Sequence, residues 1–155
     1  MKLGALTVAN NMAALPSRAA GNRVGTTTLE AIRADLGRLR RLDDHLGGAD
    51  TFSLYSREAA NVASLIKTGN LTTAIRRELH SIYAEQTQQA GWAAFDAGWQ
   101  DKATQMFERS YEAAKEAGAN DLAGNALALR SYQLLAAGRG CLEPRGFSAA
   151  IHCGF

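Results

Sequence analysis

One short phrase decides the fold because it occurs twice in the same register. Residues Gly91–Gly98 read GWAAFDAG, and residues Ser131–Gly138 read SYQLLAAG. An aromatic residue, two apolar positions, an alanine and a closing glycine match across a shift of about 40 residues, the length of one helical-pair repeat. The repetition predicts an all-α protein built as a short right-handed α-solenoid of helix pairs.

The composition agrees with one compact helical domain. The chain has 155 residues, of which 46% are hydrophobic, and only two are proline. This length is typical of a single domain with its own core. Alanine is abundant, whereas the β-branched and aromatic runs that predict strands are missing.

The charge pattern gives little attraction to nucleic acid or to an anionic membrane. The 17 basic and 15 acidic residues leave a net charge of +2, with both signs mixed along the chain. Four arginines cluster in the first predicted helix, but aspartates and glutamates lie among them and offset the field. We therefore expect no direct nucleic-acid binding and no membrane partner.

The termini and the cysteines indicate a cytoplasmic protein. Asn10 and Asn11 interrupt the apolar opening before a signal-peptide core forms, and no run approaches the roughly 20 apolar residues of a membrane span. Cys141 and Cys153 are too few and too peripheral for a disulfide framework or a zinc site. We expect no metal and no cofactor.

Glycine and proline divide the chain into three parts. Residues 1–26 are expected to form a flexible arm, residues 27–139 a helical domain, and residues 140–155 an irregular tail. The spacing of Thr27 and Glu30 predicts a capping box that starts the first helix. That helix should end near Gly47–Gly48, with His45 an exposed residue at its end.

Four further helices follow from hydrophobic periodicity and capping residues. The second should span residues 51–68 and stop at Gly69, and Asn70 should cap the third. The third pattern is long for a solenoid helix, so a break is expected at residues 86–88. Asp101 should cap the fourth helix. The fifth should begin at residues 120–121 and stop at Gly138, and it carries Leu122, Leu127, Leu129, Leu134 and Leu135.

The spacing of small and large residues resembles that of a tetratricopeptide repeat. Ala103 follows Gly98 by five residues, and Phe107 follows it by nine. The glycine lets the chain turn, the alanine permits close approach of two helices, and the aromatic ring fills the space between helix pairs. Gly69 and Ala74 match the rule in part.

The stretches LRRLDD (39–44), AGWAAFDAG (90–98) and AGNALA (123–128) resemble a known family. They are similar to the C-terminal, tetratricopeptide-like half of actinobacterial transcriptional regulators of the XRE helix-turn-helix type, over residues 27–139. The resemblance implies a module that senses a ligand, peptide or partner. The 26 residues before Thr27 are too few for the DNA-binding domain of that family.

The first helix of each pair lines the concave face of a tetratricopeptide array, which predicts a binding groove for a peptide, protein or small molecule. Counting from the turn glycines gives eight groove residues. They are Lys67, Glu85, Gln88, Trp92, Phe95, Asp96, Asn125 and Tyr132.

Two other functions stay open. A small biosynthetic enzyme would use His80, Tyr83, Glu85 or Asp96 for proton transfer, although His80 and Glu85 lie about 140° apart around an ideal helix. A dimerisation or antagonist module would pair with a full-length regulator, or with a second copy, through the apolar edge of a short array. No nucleophile, phosphate-loop or dinucleotide motif specifies a reaction.

Overall fold

A computed structural model describes residues 24–43 and 48–138 of the chain. These residues form five α-helices and no strand, which confirms the predicted all-α class. His45, the expected C-terminal tail and all but the last three residues of the expected N-terminal arm lie outside the described ranges. The helices are α1 (Thr26–Asp43), α2 (Gly48–Thr68), α3 (Thr73–Asp96), α4 (Gln100–Ala117) and α5 (Asn120–Ala136).

Helix α3 is the centre of the fold. It packs against α2 and α4 and also contacts α1 and α5. The expected break at residues 86–88 is wrong, because α3 runs without interruption for 24 residues. The Thr87 hydroxyl shares its hydrogen between the carbonyls of Tyr83 (2.8 Å) and Ala84 (3.0 Å) in the preceding turn. Its polar group is thus satisfied inside the helix and does not interrupt it. Packing from neighbouring helices stabilises a length that the sequence pattern alone does not support.

The start of the first two helices differs from the prediction. Helix α1 begins at Thr26, so Thr27 lies inside the helix and does not form the expected cap. Gly48, expected to help end the first helix, is the first residue of α2. A Cβ atom at Gly48 would lie 2.7 Å from the Ala93 carbonyl oxygen, so the missing side chain lets α2 approach the end of α3.

Two predicted N-caps are also corrected. Thr72 caps α3, since its hydroxyl accepts from the Ile75 amide at 3.3 Å, and Asn70 lies before it. Helix α4 begins at Gln100 without a side-chain cap. Asp101 lies in its first turn, where a carboxylate still interacts favourably with the helix dipole.

The repeated phrase ends in the same backbone conformation at both copies. Gly98 follows α3 with a φ of 76°, and Gly138 follows α5 with a φ of 66°. These left-handed values favour glycine. Ala103 and Phe107, which complete the small-small-large spacing after Gly98, are both fully buried.

The core forms largely where the periodicity places it, except on α5. The predicted stripes of α1 to α4 are buried or pack against the core. On α5 the buried residues are Ala123, Ala126 and Gln133, while Leu135 is 70% exposed. Small side chains let α5 lie close to α4, and this register turns Leu135 outward.

Helices α1, α3 and α5 lie beside one another and run in the same direction. Arg33 of α1 pairs with Glu78 of α3, and Arg40 pairs with Glu85. Residue numbers therefore increase in the same direction along the two helices. Likewise, Gln88 of α3 contacts Asn125 of α5 and Trp92 contacts Tyr132, so α3 and α5 also run in the same direction. Within the described ranges, no helix is both long and apolar enough to cross a bilayer.

Candidate functional site

Three aromatic rings meet where α3 and α5 lie side by side. Trp92 and Phe95 are three residues apart and so share one face of α3. Their ring centroids lie 5.5 Å apart, and each lies 5.7 Å from the ring of Tyr132 on α5. Tyr132 is 53% exposed, whereas the other two rings are half-buried. In this aromatic cluster, the exposed ring of Tyr132 can stack on a ligand, and the rings of Trp92 and Phe95 hold it in place.

A pair of amides continues the same face toward the start of α5. Asn125 donates its side-chain amide to the Gln88 amide oxygen at 2.7 Å, and Gln88 donates to the Leu122 carbonyl at 2.9 Å. Gln88 is buried, and both ends of its amide are used in tying the two helices together. Asn125 is exposed, and an amide oxygen can accept further hydrogen bonds.

The carboxylates predicted for this groove lie on the same helix as Trp92. Glu85 is half-buried and accepts a hydrogen bond from Arg40 of α1 at 2.5 Å. Asp96 is exposed at the last residue of α3, where it faces the start of α2 at Gly48. Seven of the eight predicted groove residues are thus carried by α3 and α5.

Lys67 does not belong with the other seven residues. It is exposed in the last turn of α2, and the preceding carbonyl, that of Ile66, accepts from the Arg76 guanidinium at 3.0 Å. Arg76 precedes Trp92 by 16 residues, which is about 24 Å along the axis of an α-helix. The antiparallel packing of α2 on α3 therefore separates Lys67 from the aromatic cluster.

A groove of about 500 Å³ opens between α3 and α4 on another side of the molecule. It contains His80 and Tyr83, two of the residues considered for proton transfer. Burial lowers the pKa of His80 below 6.5; Glu116 acts in the opposite direction, and Arg76 adds to the lowering. The lining residues are His80, Tyr83, Gln105, Glu108, Arg109, Glu112, Ala113 and Glu116.

The candidate acid–base set is not assembled in one place. Glu85 faces α1, and Asp96 lies 16 residues beyond His80, about 160° around the helix. The groove instead holds a row of glutamates on α4 that sequence reasoning missed. Their spacing of four residues, Glu108 to Glu112 to Glu116, is the signal that would have found them.

A second aromatic group lies at the turn between α3 and α4. Phe52 and Trp99 pack edge to face with centroids 5.4 Å apart, and the Lys102 ammonium lies 3.9 Å from the Trp99 centroid. Phe107 belongs to the same buried cluster. The side chain of Lys102 is thereby held against the rings, which gives this group a structural role.

Among the residues described, no group of three histidine, cysteine or carboxylate side chains is arranged to hold a metal ion. Cys141 and Cys153 lie outside those residues. Comparisons with protein-family models, curated proteins and solved structures find no match to this chain.

Proposed function

We propose that this protein is a non-enzymatic helical-repeat binding module of the tetratricopeptide-like type, a regulator-like effector or scaffold domain. Its ligand, a peptide, a protein or a small molecule, binds on the face shared by α1, α3 and α5. The observation that carries the proposal is the aromatic cluster of Trp92, Phe95 and Tyr132, ordered by mutual packing yet half-exposed at Tyr132.

The surrounding polar groups add selectivity to this aromatic surface. Asn125 presents an amide beside the cluster, and Asp96 provides a carboxylate at the end of α3. An aromatic floor with a small number of polar anchors is the usual construction of a ligand site. The side-by-side arrangement of α1, α3 and α5 supports a short right-handed solenoid, in which such a face is concave.

An association through α5 is the second candidate function, and a separate observation favours it. Leu135 is 70% exposed and Tyr132 is 53% exposed on the last described helix. Exposed large apolar residues at the end of a helical array favour contact with another copy or with a related regulator. This candidate predicts a dimer without a bound small molecule.

Native mass spectrometry of protein purified gently from its producing host distinguishes the two candidates. A retained compound or peptide on a monomer supports ligand binding on the α1/α3/α5 face. A ligand-free dimer supports association through α5. A ligand-free monomer speaks against both.

A matched pair of variants then locates the retained ligand. The double variant W92L/D96N removes an aromatic ring and a carboxylate from the proposed face, whereas W99L/D101N removes the same groups elsewhere. We expect the first variant to lose the ligand and the second to keep it, with helical circular dichroism intact in both. Equal retention by the two variants would place the ligand elsewhere.

A further inference from the structure

The groove between α3 and α4 continues across α3 onto α2. A smaller groove of about 280 Å³ is lined by residues of α2, α3 and α4, and it shares Tyr83 and Arg109 with the larger one. Tyr83 and Trp92 are nine residues apart, so they lie about 180° apart around α3. The two grooves therefore adjoin at Tyr83 and Arg109, and together they form a trough on the opposite side of α3 from the aromatic cluster.

The α2 end of the trough has a floor of small side chains. Ala59, Ala60 and Ala63 line it; Ala60 is exposed, Ala63 is half-buried and Ala59 is buried beneath them. Three alanines within five residues leave the α2 backbone open to close approach by another helix. This surface fits the small apolar face of a partner helix.

The α4 end of the trough is acidic. Glu108, Glu112 and Glu116 follow one another at four-residue intervals along its border, about 12 Å from first to last. They take no part in the ion pairs within the described part of the chain, whereas Glu78 and Glu85 on the other side of α3 pair with arginines. Among the described residues that line the trough, Arg109 is the one that is permanently cationic.

The glutamate row is unfavourable for α4 in isolation. Like charges four residues apart repel one another on a helix. Glu116 also lies in the last turn, where a carboxylate interacts unfavourably with the helix dipole. A cationic partner seated in the trough would relieve both effects, so the row is complementary to a specific charge pattern.

We infer that this trough binds a basic amphipathic helix of a partner protein, with its small apolar face on Ala60 and Ala63 and its lysines or arginines against the glutamate row. Basic residues spaced by four along the partner match the spacing of Glu108, Glu112 and Glu116. This site is separate from the ligand face proposed above and does not depend on it.

The test uses the full chain and two synthetic helices in isothermal titration calorimetry. One probe is an alanine-rich peptide with lysine at every fourth position, and the other carries glutamate at the same positions. We expect saturable binding of the lysine peptide, weakened by added salt, and no binding of the glutamate peptide. Absence of saturable binding by the lysine peptide would overturn the inference.

Variants of the chain test the position of the site. Removing the three charges with E108Q/E112Q/E116Q should weaken binding of the lysine peptide about tenfold, as expected for three exposed charge pairs. The matched variant E30Q/D101N/D121N removes three exposed carboxylates elsewhere and should bind like the parent chain. Equal weakening by both variants would mean that carboxylates anywhere on the chain attract the peptide, and it would overturn the proposed position of the site.

A steric variant tests the apolar part. Ala60 is exposed, so A60W fills the trough without entering the core. It should also weaken binding of the lysine peptide, because the partner helix can no longer approach α2. If A60W binds the lysine peptide like the parent chain, or if the flexible polyamine spermidine binds the parent chain as tightly as the peptide does, the inference that the partner is a helix is overturned.

Discussion

Gly91 of α3 lies directly against the ring of Phe107 of α4. A Cβ atom at Gly91 would be 2.6 Å from two carbons of that ring, and Phe107 is fully buried. The absence of a side chain at one residue thus sets how closely the two helices approach. The first half of the repeated phrase begins with this glycine, so the contact links the sequence repeat to the packing of the core.

The substitution Gly91→Ala should destabilise the protein despite the better helix propensity of alanine. Overpacking costs ~1–3 kcal/mol and the gain in helix propensity offsets about 1 kcal/mol of this, so a net loss of up to about 2 kcal/mol is expected. Urea unfolding followed by circular dichroism measures the change. Gly124→Ala is the matched control, because a Cβ there has open space, and it should stabilise α5 by up to about 1 kcal/mol. Stabilisation by both variants would contradict the packing argument.

Gln133 ties α5 to the start of α4. Its side-chain amide nitrogen donates to the Gln100 carbonyl at 2.7 Å and to the Gln100 side-chain oxygen at 2.9 Å, and Gln133 is 3% exposed. Gln133→Ala should lower the free energy of unfolding by about 1–3 kcal/mol, since buried polar groups lose their partner. The exposed Gln105→Ala should change it by no more than about 0.5 kcal/mol. Equal effects in denaturant unfolding would show that the network contributes nothing.

Lys102 stabilises the turn between α3 and α4 through its position over Trp99. Replacing the ammonium by an amide in Lys102→Gln should cost about 0.5–1 kcal/mol and alter tryptophan fluorescence. Lys102→Arg keeps a cation that stacks on aromatic rings and should retain most of the stability. The check is thermal unfolding of the three proteins at one protein concentration. If Lys102→Gln unfolds at the same temperature as the parent protein, the contact does not stabilise the turn.

His80 should make stability depend on pH. Because burial lowers its pKa below 6.5 in the folded protein, the unfolded chain binds a proton more readily. Its contribution is therefore complete above about pH 6.5 and declines as the pH falls toward the folded-state pKa. His80→Gln should remove this part of the decline below about pH 6.5.

Proton NMR titration gives an independent measurement of the same group. The imidazole signal that disappears in His80→Gln identifies His80 among the three histidines. Its titration midpoint should lie below 6.5. A midpoint at or above 6.5 would mean that Glu116 outweighs burial.

Much of the helix layout follows from local sequence. Glycines after α3, α4 and α5 end those helices, and the stripe of Leu29, Ile32, Leu36 and Leu39 on α1 is buried as its spacing predicts. Local patterns succeed here because turn conformation and helical periodicity depend on neighbouring residues. The unbroken α3 was not predictable in this way, since helices distant in sequence support its length.

The candidate site shows the same division. The spacing of Trp92 and Phe95 predicts one aromatic face, but only the register of α5 brings Tyr132 against both rings. Lys67 lies apart from the other predicted groove residues, because its position depends on how α2 lies along α3. Glu108, Glu112 and Glu116 were visible as a pattern, yet the groove beside them exists only between packed helices.

The sequence by itself determined that residues 24–43 and 48–138 form an all-helical domain and where most of its turns and buried stripes lie, because these features rest on contacts within a few residues. The tertiary structure decided the length of α3, the outward position of Leu135 and the placing of two distinct surfaces on opposite sides of α3. Those features depend on side chains that meet across different helices, such as Gly91 with Phe107 and Gln133 with Gln100. The hydrophobic periodicity of each helix is compatible with several registers between neighbouring helices, and close packing of their side chains selects one of them.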